Sequence, residues 1–166
     1  MTMTMTPDPA LQAWLDQEDR RTADIIRTSG TYIQYVGGDV AHHLTSFAYT
    51  VGLFGIAHPE LLVFGLDART AGALLNDVSA RVREGRILVP GSTLRFDDWA
   101  HRVRVEAVPN PGDIAFAANR FYQRPDEFSV PLLQLTYDDR DGRFPDEDGY
   151  ANASWIQPRP GEFSAR

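Results

Sequence analysis

The pattern of apolar and polar positions predicts a sheet built around two central strands. Two uninterrupted apolar runs, residues 48–51 and 61–64, are typical of strands that are covered on both faces. The loop between them contains His58, Pro59 and Glu60 in succession. Because a predicted strand lies at each end, we expect this loop to be held rigidly.

Helical spacing of apolar residues predicts two long helices, residues 9–28 and 70–84. Asp8 and Asp67 precede them as capping residues, and a shorter helix is expected after Asp113. Alternation or apolar runs predict further strand segments at residues 31–36, 93–96, 101–108 and 131–137. The first of these leads by a hairpin into the central pair.

This order of elements predicts an α+β fold: a single domain with a mainly antiparallel, curved sheet and two or three helices packed on it. The domain is expected at residues 9–150, after a disordered segment 1–8 and before a Pro-rich tail 151–166. The least accessible residues are expected to be Tyr49, Val63, Phe64, Leu74, Leu75, Val78, Val103, Val105, Phe116 and Leu133.

Composition narrows the class of protein. Hydrophobic residues make up 43% of the chain and charged residues 23%, and no apolar run approaches the ~20 residues of a membrane span. There is no cysteine and no secretory signal pattern, so we expect a soluble protein of the cytoplasm. The net charge of -7 repels phosphate backbones, so neither nucleic acid nor a membrane is an expected partner.

Several kinds of chemistry lack the residues that they need. Without cysteine or lysine there is no thiolate nucleophile and no Schiff base, and the G-x-S-x-G and G-x-G-x-x-G motifs are missing. The cofactor stays unknown, because flavin or nicotinamide can bind in other ways. Neighbouring residues of an extended chain point to opposite faces, so at most one of His42 and His43 can join His58 as a metal ligand. His101 could in principle approach them. Because a metal site needs at least three convergent protein ligands, we predict none.

The acidic run at residues 138–142 resembles a calcium loop only in part. Tyr137 would occupy the first ligand position of an EF-hand, and Asp148 the twelfth in place of glutamate. We therefore expect a tight turn in which aspartate side chains accept hydrogen bonds from local backbone amides.

The candidate catalytic residues are His58 and Glu60. Pro59 holds its neighbours extended, so an imidazole and a carboxylate would project to the same side of a rigid loop, as an acid–base pair requires. The structural alternative is that both side chains bond to loop amides and to each other.

Arg120 is the candidate anion-binding residue, and Glu60 is its expected partner. Its guanidinium would either clasp that carboxylate or present its fork to an anionic ligand beside His58. We expect the rim of a pocket to be formed by the loop at residues 54–60. The predicted ligand-binding residues around that loop are Tyr49, Thr50, Asn119, Arg120 and Tyr122.

Four short motifs resemble one bacterial family. YTVGL at residues 49–53, HPEL at 58–61, NRFY at 119–122 and DGRFP at 141–145 are similar to the family catalogued as domain of unknown function four-two-six-two. The resemblance covers about residues 31–150 and implies no established activity. Ala57 and Asp146 stand where the family often has glycine and tryptophan.

Two classes of function remain. The first is a binding or accessory module for a small anionic ligand or a protein partner, which requires only a pocket or an apolar patch. The alternative is a small enzyme in which His58 is the acid–base, Glu60 orients it and Arg120 holds an oxyanion or carboxylate. The sequence favours the first, and it leaves the oligomeric state open.

Overall fold

The computed structural model describes residues 8–166, so positions 1–7 of the predicted disordered segment lie outside the described residues. The helices are α1 (Pro9–Ser29), α2 (Ala68–Arg83) and α3 (Phe116–Phe121). The strands are β1 (Tyr32–Val36), β2 (Phe47–Val51), β3 (Glu60–Phe64), β4 (Thr93–Leu94), β5 (Val103–Ala107) and β6 (Leu132–Tyr137).

The long helices begin at the capping residues that the sequence predicts. The Asp8 side chain accepts a hydrogen bond from the Ala10 amide, and Asp67 accepts one from the Thr70 amide. These bonds satisfy amides that have no partner within a helix. Gly30 ends α1 in a left-handed conformation that costs glycine little.

The six strands form one sheet in the order β1-β2-β3-β6-β5-β4. Four neighbouring pairs are antiparallel, and β3 pairs with β6 in parallel. The predicted α+β class, the mainly antiparallel sheet and the β1–β2 hairpin are therefore confirmed. Residues 87–89 are an apolar run that precedes the turn before β4, and they do not form a strand.

Apolar cores lie on both faces of the sheet. On one face, the stripe of α2 that includes Leu75 and Val78 packs against side chains of the central strands. On the other, α3 and the C-terminal tail pack against the alternate side chains of β2 and β3. Because successive strand residues point to opposite faces, fully apolar runs are needed where both faces are covered. This is why β2 and β3 show no polar alternation.

The tail after residue 150 has no helix or strand but inserts side chains into the fold. Phe163 packs on Phe47 and Phe64, with ring centroids 5.2 and 5.0 Å apart. Gln157 exchanges two hydrogen bonds with the backbone of Tyr137, at 3.1 and 3.0 Å. The tail therefore covers part of the sheet face that carries α3.

Nine of the ten predicted core residues are buried, and the prediction for Phe116 is wrong. This residue is 37% exposed, and the centre of its ring lies 5.9 Å from the Arg166 guanidinium. Helix α3 has six residues and buries only Ala118 and Asn119, so its first residue lies at the rim. None of the described helices has the length and apolarity required to cross a membrane.

Candidate functional site

The Glu60 carboxylate is held inside the loop that follows β2. It is fully buried and accepts backbone hydrogen bonds from Gly52, Leu53 and Phe54 at 3.0, 2.9 and 3.1 Å. A fourth bond comes from the Thr50 hydroxyl at 2.9 Å. Each carboxylate oxygen thus accepts two bonds, which fills the acceptor sites of the group.

Local backbone geometry makes this arrangement possible. Gly52 has a φ of 133°, and a Cβ at this position would lie 3.0 Å from the Gly30 carbonyl oxygen. The chain can therefore turn so that three successive amides converge on one carboxylate, as in an anion-binding nest. Burial raises the pKa of Glu60, while the bonds from Phe54, Gly52, Thr50 and Leu53 lower it in part.

His58 does not pair with Glu60. Its Nδ1 lies 2.8 Å from the Pro59 carbonyl oxygen, and because a carbonyl only accepts, Nδ1 carries a proton and donates it to this bond. Nε2 is buried without a hydrogen-bond partner in the described part of the chain. The two side chains therefore form no hydrogen bond with each other, and the part of the structural alternative that placed Glu60 on loop amides is observed.

Two of the predicted ligand-binding residues lie at this loop. Besides bonding Glu60, the Thr50 hydroxyl accepts a bond from the Leu61 amide at 2.9 Å. The Tyr122 hydroxyl accepts one from the Gly55 amide at 3.2 Å. Burial and the nearby Glu60 carboxylate raise the pKa of Tyr122. These side chains hold the loop in shape by contacts within the protein.

The side chains of Tyr49 and Asn119 bond to residues outside the loop. Tyr49 accepts a hydrogen bond from the Ala117 amide at 2.9 Å, and burial raises its pKa to about 12. The Asn119 side chain accepts a bond from the Val130 amide and donates one to Ser129.

The predicted pairing of Arg120 with Glu60 is wrong. The Arg120 guanidinium lies 2.6 Å from Asp19 on α1, and the loop amides occupy the acceptor sites of Glu60. An arginine at this position was expected to bind a carboxylate, and it does. The position of α1 beside α3 determines that this carboxylate is Asp19.

Two of the histidines pair with different carboxylates. His42 lies 2.6 Å from Asp39 at an exposed turn, and His101 lies 2.9 Å from Asp138, the residue that follows β6. Among residues 8–166, no cluster of three or more histidine and acidic side chains is placed to hold a metal ion.

The acidic run forms the predicted turn. Asp139 accepts bonds from the amides of Asp141, Arg143 and Ala151 at 2.8, 2.9 and 2.8 Å. The bond from Arg143 is the main reason why the pKa of Asp139 lies below its usual value. The expectation that an aspartate here bonds local amides is thereby confirmed.

A cleft at a different place has the features of a ligand site. It lies between α2 and the segment of residues 95–99, and its volume is about 480 Å³, within the usual range for small-molecule pockets. Phe96 and Trp99 form an aromatic wall in an edge-to-face contact with centroids 6.0 Å apart. We call this cavity the α2 cleft. Its lining residues are Arg69, Thr70, Ala73, Leu74, Asp77, Arg81, Arg95, Phe96, Asp97, Asp98 and Trp99.

The charges of the α2 cleft are only partly paired. Arg81 bonds Asp77 at 2.8 Å, and its guanidinium lies 4.6 Å from the centre of the Phe96 ring. Among residues 8–166, no ion pair is formed by the remaining four charged residues of the cleft, which are Arg69, Arg95, Asp97 and Asp98. Two arginines and two aspartates are thus free to interact with a molecule in the cleft.

Comparison with known proteins places the chain in a family. A family model described as domain of unknown function (DUF4262) matches residues 25–151. The chain belongs to the DUF4262 family. No curated protein and no solved structure gave a match.

The DUF4262 match contains both the Glu60 loop and the α2 cleft, whereas most of the tail that carries Phe163 lies beyond it. The motifs that carry the sequence resemblance lie at the Glu60 loop, in α3 and in the turn after β6, and none of them lines the α2 cleft. Sequence reasoning therefore missed the cleft. The available signal was the run RFDDWAHR at residues 95–102, which combines two aromatic rings with charges of both signs.

Proposed function

We propose that this DUF4262 protein is a binding module whose α2 cleft takes a small anionic molecule with a flat apolar part. The observation that carries the proposal is the pairing of a Phe96–Trp99 wall with the unpaired arginines Arg69 and Arg95 in one cavity. An aromatic wall offers a face for a flat ring, and guanidinium groups bind carboxylate or phosphate.

The two aspartates refine the class of ligand. Asp97 and Asp98 line the same cavity and only accept hydrogen bonds when ionised. A ligand that also carries an amino group or other hydrogen-bond donors would satisfy them, whereas a purely anionic molecule would meet repulsion. We therefore expect a molecule with an acidic group, a ring and at least one donor.

The Glu60 loop supports an enzyme less well. All acceptor sites of the Glu60 carboxylate are filled, His58 Nε2 is buried, and Arg120 is engaged by Asp19. A general base needs a free lone pair within reach of the substrate. The alternative of a small enzyme that uses His58 with Glu60 and Arg120 would require the loop to open first.

Three matched indole compounds test the proposal by thermal shift. Tryptophan has a carboxylate and an ammonium group, indole-3-propionate lacks the ammonium group, and tryptamine lacks the carboxylate. At a concentration of ten times its dissociation constant, a ligand adds about 1.4 kcal/mol to the free energy of unfolding, which is a readable shift of the melting temperature. We expect the largest shift with tryptophan and the smallest with tryptamine.

Variants connect the shift to the cleft. Arg95→Gln removes one unpaired arginine of the cleft, and Arg86→Gln removes an exposed arginine outside it. The shift caused by tryptophan should fall in Arg95→Gln and stay unchanged in Arg86→Gln. Equal shifts in both variants, or a larger shift with tryptamine than with indole-3-propionate, would contradict the proposed role of the arginines.

A further inference from the structure

The outer edge of β1 is an unprotected sheet edge. β1 pairs with β2 on one side, and no other described strand pairs with it. Its sequence, YIQYV, has neither a charged residue nor a proline, which are devices that block pairing at an edge. At the opposite edge, β4 has only two residues, and short length is itself a protecting device. The β4 edge of the sheet is therefore protected against pairing with another strand, and the β1 edge is open to it.

Apolar side chains accompany the open edge. Tyr35 and Val36 at the end of β1 are 37% and 36% exposed, and Leu11 and Trp14 on α1 are 51% and 57% exposed. Trp14 lines the same small cavity as Gln34, so the N-terminal half of α1 lies along β1. Because α1 runs back from β1, Leu11 lies beyond Trp14 towards the Val36 end of the strand. Val36 lies on the face of the sheet that carries α1, and Tyr35 lies on the opposite face. Exposed apolar groups therefore border the open edge on both faces, which marks it as an interaction surface.

We propose that a second copy of this chain pairs with β1, so that the two six-stranded sheets join across a two-fold axis. The strand is complementary to itself. Antiparallel pairing centred on Gln34 places Tyr35 opposite Ile33 of the second copy, and Val36 opposite Tyr32 of the second copy. Aromatic and β-branched residues opposite one another are favourable cross-strand pairs. A two-fold contact uses the same patch on both copies, as this register does.

The same axis accounts for the exposed face of α1. In a continuous sheet with antiparallel pairing, the two-fold axis is perpendicular to the sheet, so both copies of α1 lie on one face and run antiparallel. They then meet beside the joined strands, which removes Leu11 and Trp14 from water. The uncharged β1 lets two chains of net charge -7 approach without like charges facing each other at the strands.

Sedimentation equilibrium on the full chain measures the predicted dimer. Wild type at about 10 to 100 µM should have twice the 18.6 kDa mass of the chain. Val36→Lys puts a charge at the open edge and should weaken the dimer by about tenfold or more. Ile87→Lys puts the same charge at an exposed apolar site elsewhere, and its dissociation constant should match that of wild type.

Hydrogen exchange of the β1 amides separates strand pairing from any other dimer. Protection of these amides should rise with protein concentration in wild type and in Ile87→Lys, but not in Val36→Lys. If Val36→Lys fails to fold, Leu11→Lys on the exposed face of α1 takes its place. A monomeric wild type overturns the proposal. So does a dimer that the edge variant leaves intact, or a dimer without concentration-dependent protection of β1.

Discussion

Replacing Glu60 by glutamine tests the structural role of the buried loop. The substitution keeps the shape of the side chain but turns one acceptor oxygen into an amino group with two donors. Oε2 accepts from the Gly52 and Phe54 amides, and Oε1 accepts from the Leu53 amide and the Thr50 hydroxyl. With the NH2 group at the Oε2 position, it faces two backbone N–H groups and two bonds are lost. At the Oε1 position it faces the Leu53 amide, so that bond is lost, while the Thr50 hydroxyl can turn to accept from the NH2 group.

The expected magnitude follows from these bonds. Hydrogen bonds to charged groups contribute roughly 1.5 to 3 kcal/mol each, so the loss of one or two bonds amounts to about 1.5 to 6 kcal/mol. The variant no longer buries a charge, and this gain offsets part of the loss. Burial raises the pKa of Glu60 for the same reason, because it disfavours the charged form. We therefore expect the free energy of unfolding to fall by about 2 to 4 kcal/mol.

Urea-induced unfolding followed by circular dichroism at neutral pH measures this change. Glu84→Gln is the matched control, because Glu84 is exposed at the end of α2, and its cost should stay below about 0.5 kcal/mol. A loss below about 1 kcal/mol for Glu60→Gln would refute the view that the carboxylate holds the loop together.

Three further changes can be measured by urea-induced unfolding. Ala57 has a φ of 62°, so Ala57→Gly should raise the free energy of unfolding by about 1 kcal/mol. As a control, Ala13→Gly within α1 should lower it by a similar amount. A lower free energy of unfolding in Ala57→Gly would contradict the assigned conformation. The pKa of Asp139 is lowered from 3.8, so the stability that its carboxylate contributes is present above pH 3.8 and is lost as the pH falls through the folded-state pKa. In Asp139→Asn the free energy of unfolding should therefore fall less steeply at acid pH than in wild type. An unchanged acid dependence would contradict this. Phe163→Ala should cost about 2 to 4 kcal/mol and the exposed Phe128→Ala less than about 0.5, and equal costs would show that the tail does not hold the sheet face.

The parts of the fold that depend on local sequence were predictable. The capping aspartates and the apolar stripe of α2 placed that helix to within two residues at each end, because caps and helical periodicity act over a few positions. The expectation of glycine at position 57, drawn from the family resemblance, is a local signal of the same kind. Ala57 adopts the left-handed conformation that glycine favours.

Contacts between distant segments were not predictable in this way. Periodicity identifies β3 and β6 as buried strands but does not say that they are parallel neighbours. Arg120 pairs with Asp19, which is 101 positions away in the sequence, and no local pattern indicates that α1 brings this carboxylate to α3. The α2 cleft likewise arises where one helix meets a segment that follows β4, and neither element alone indicates a cavity.

The three tryptophans give the most direct test of binding in the α2 cleft. Trp99 lines the cleft, Trp14 lies on α1, and Trp155 stacks on His43 with ring centroids 5.0 Å apart. In ¹⁵N-labelled protein each indole N–H gives its own signal, and a Trp99→Phe variant identifies the one from the cleft. Titration with unlabelled tryptophan and with indole-3-propionate should shift the Trp99 signal and leave the other two in place. A Trp99 signal that does not move, or a shift confined to Trp14 or Trp155, would contradict the account.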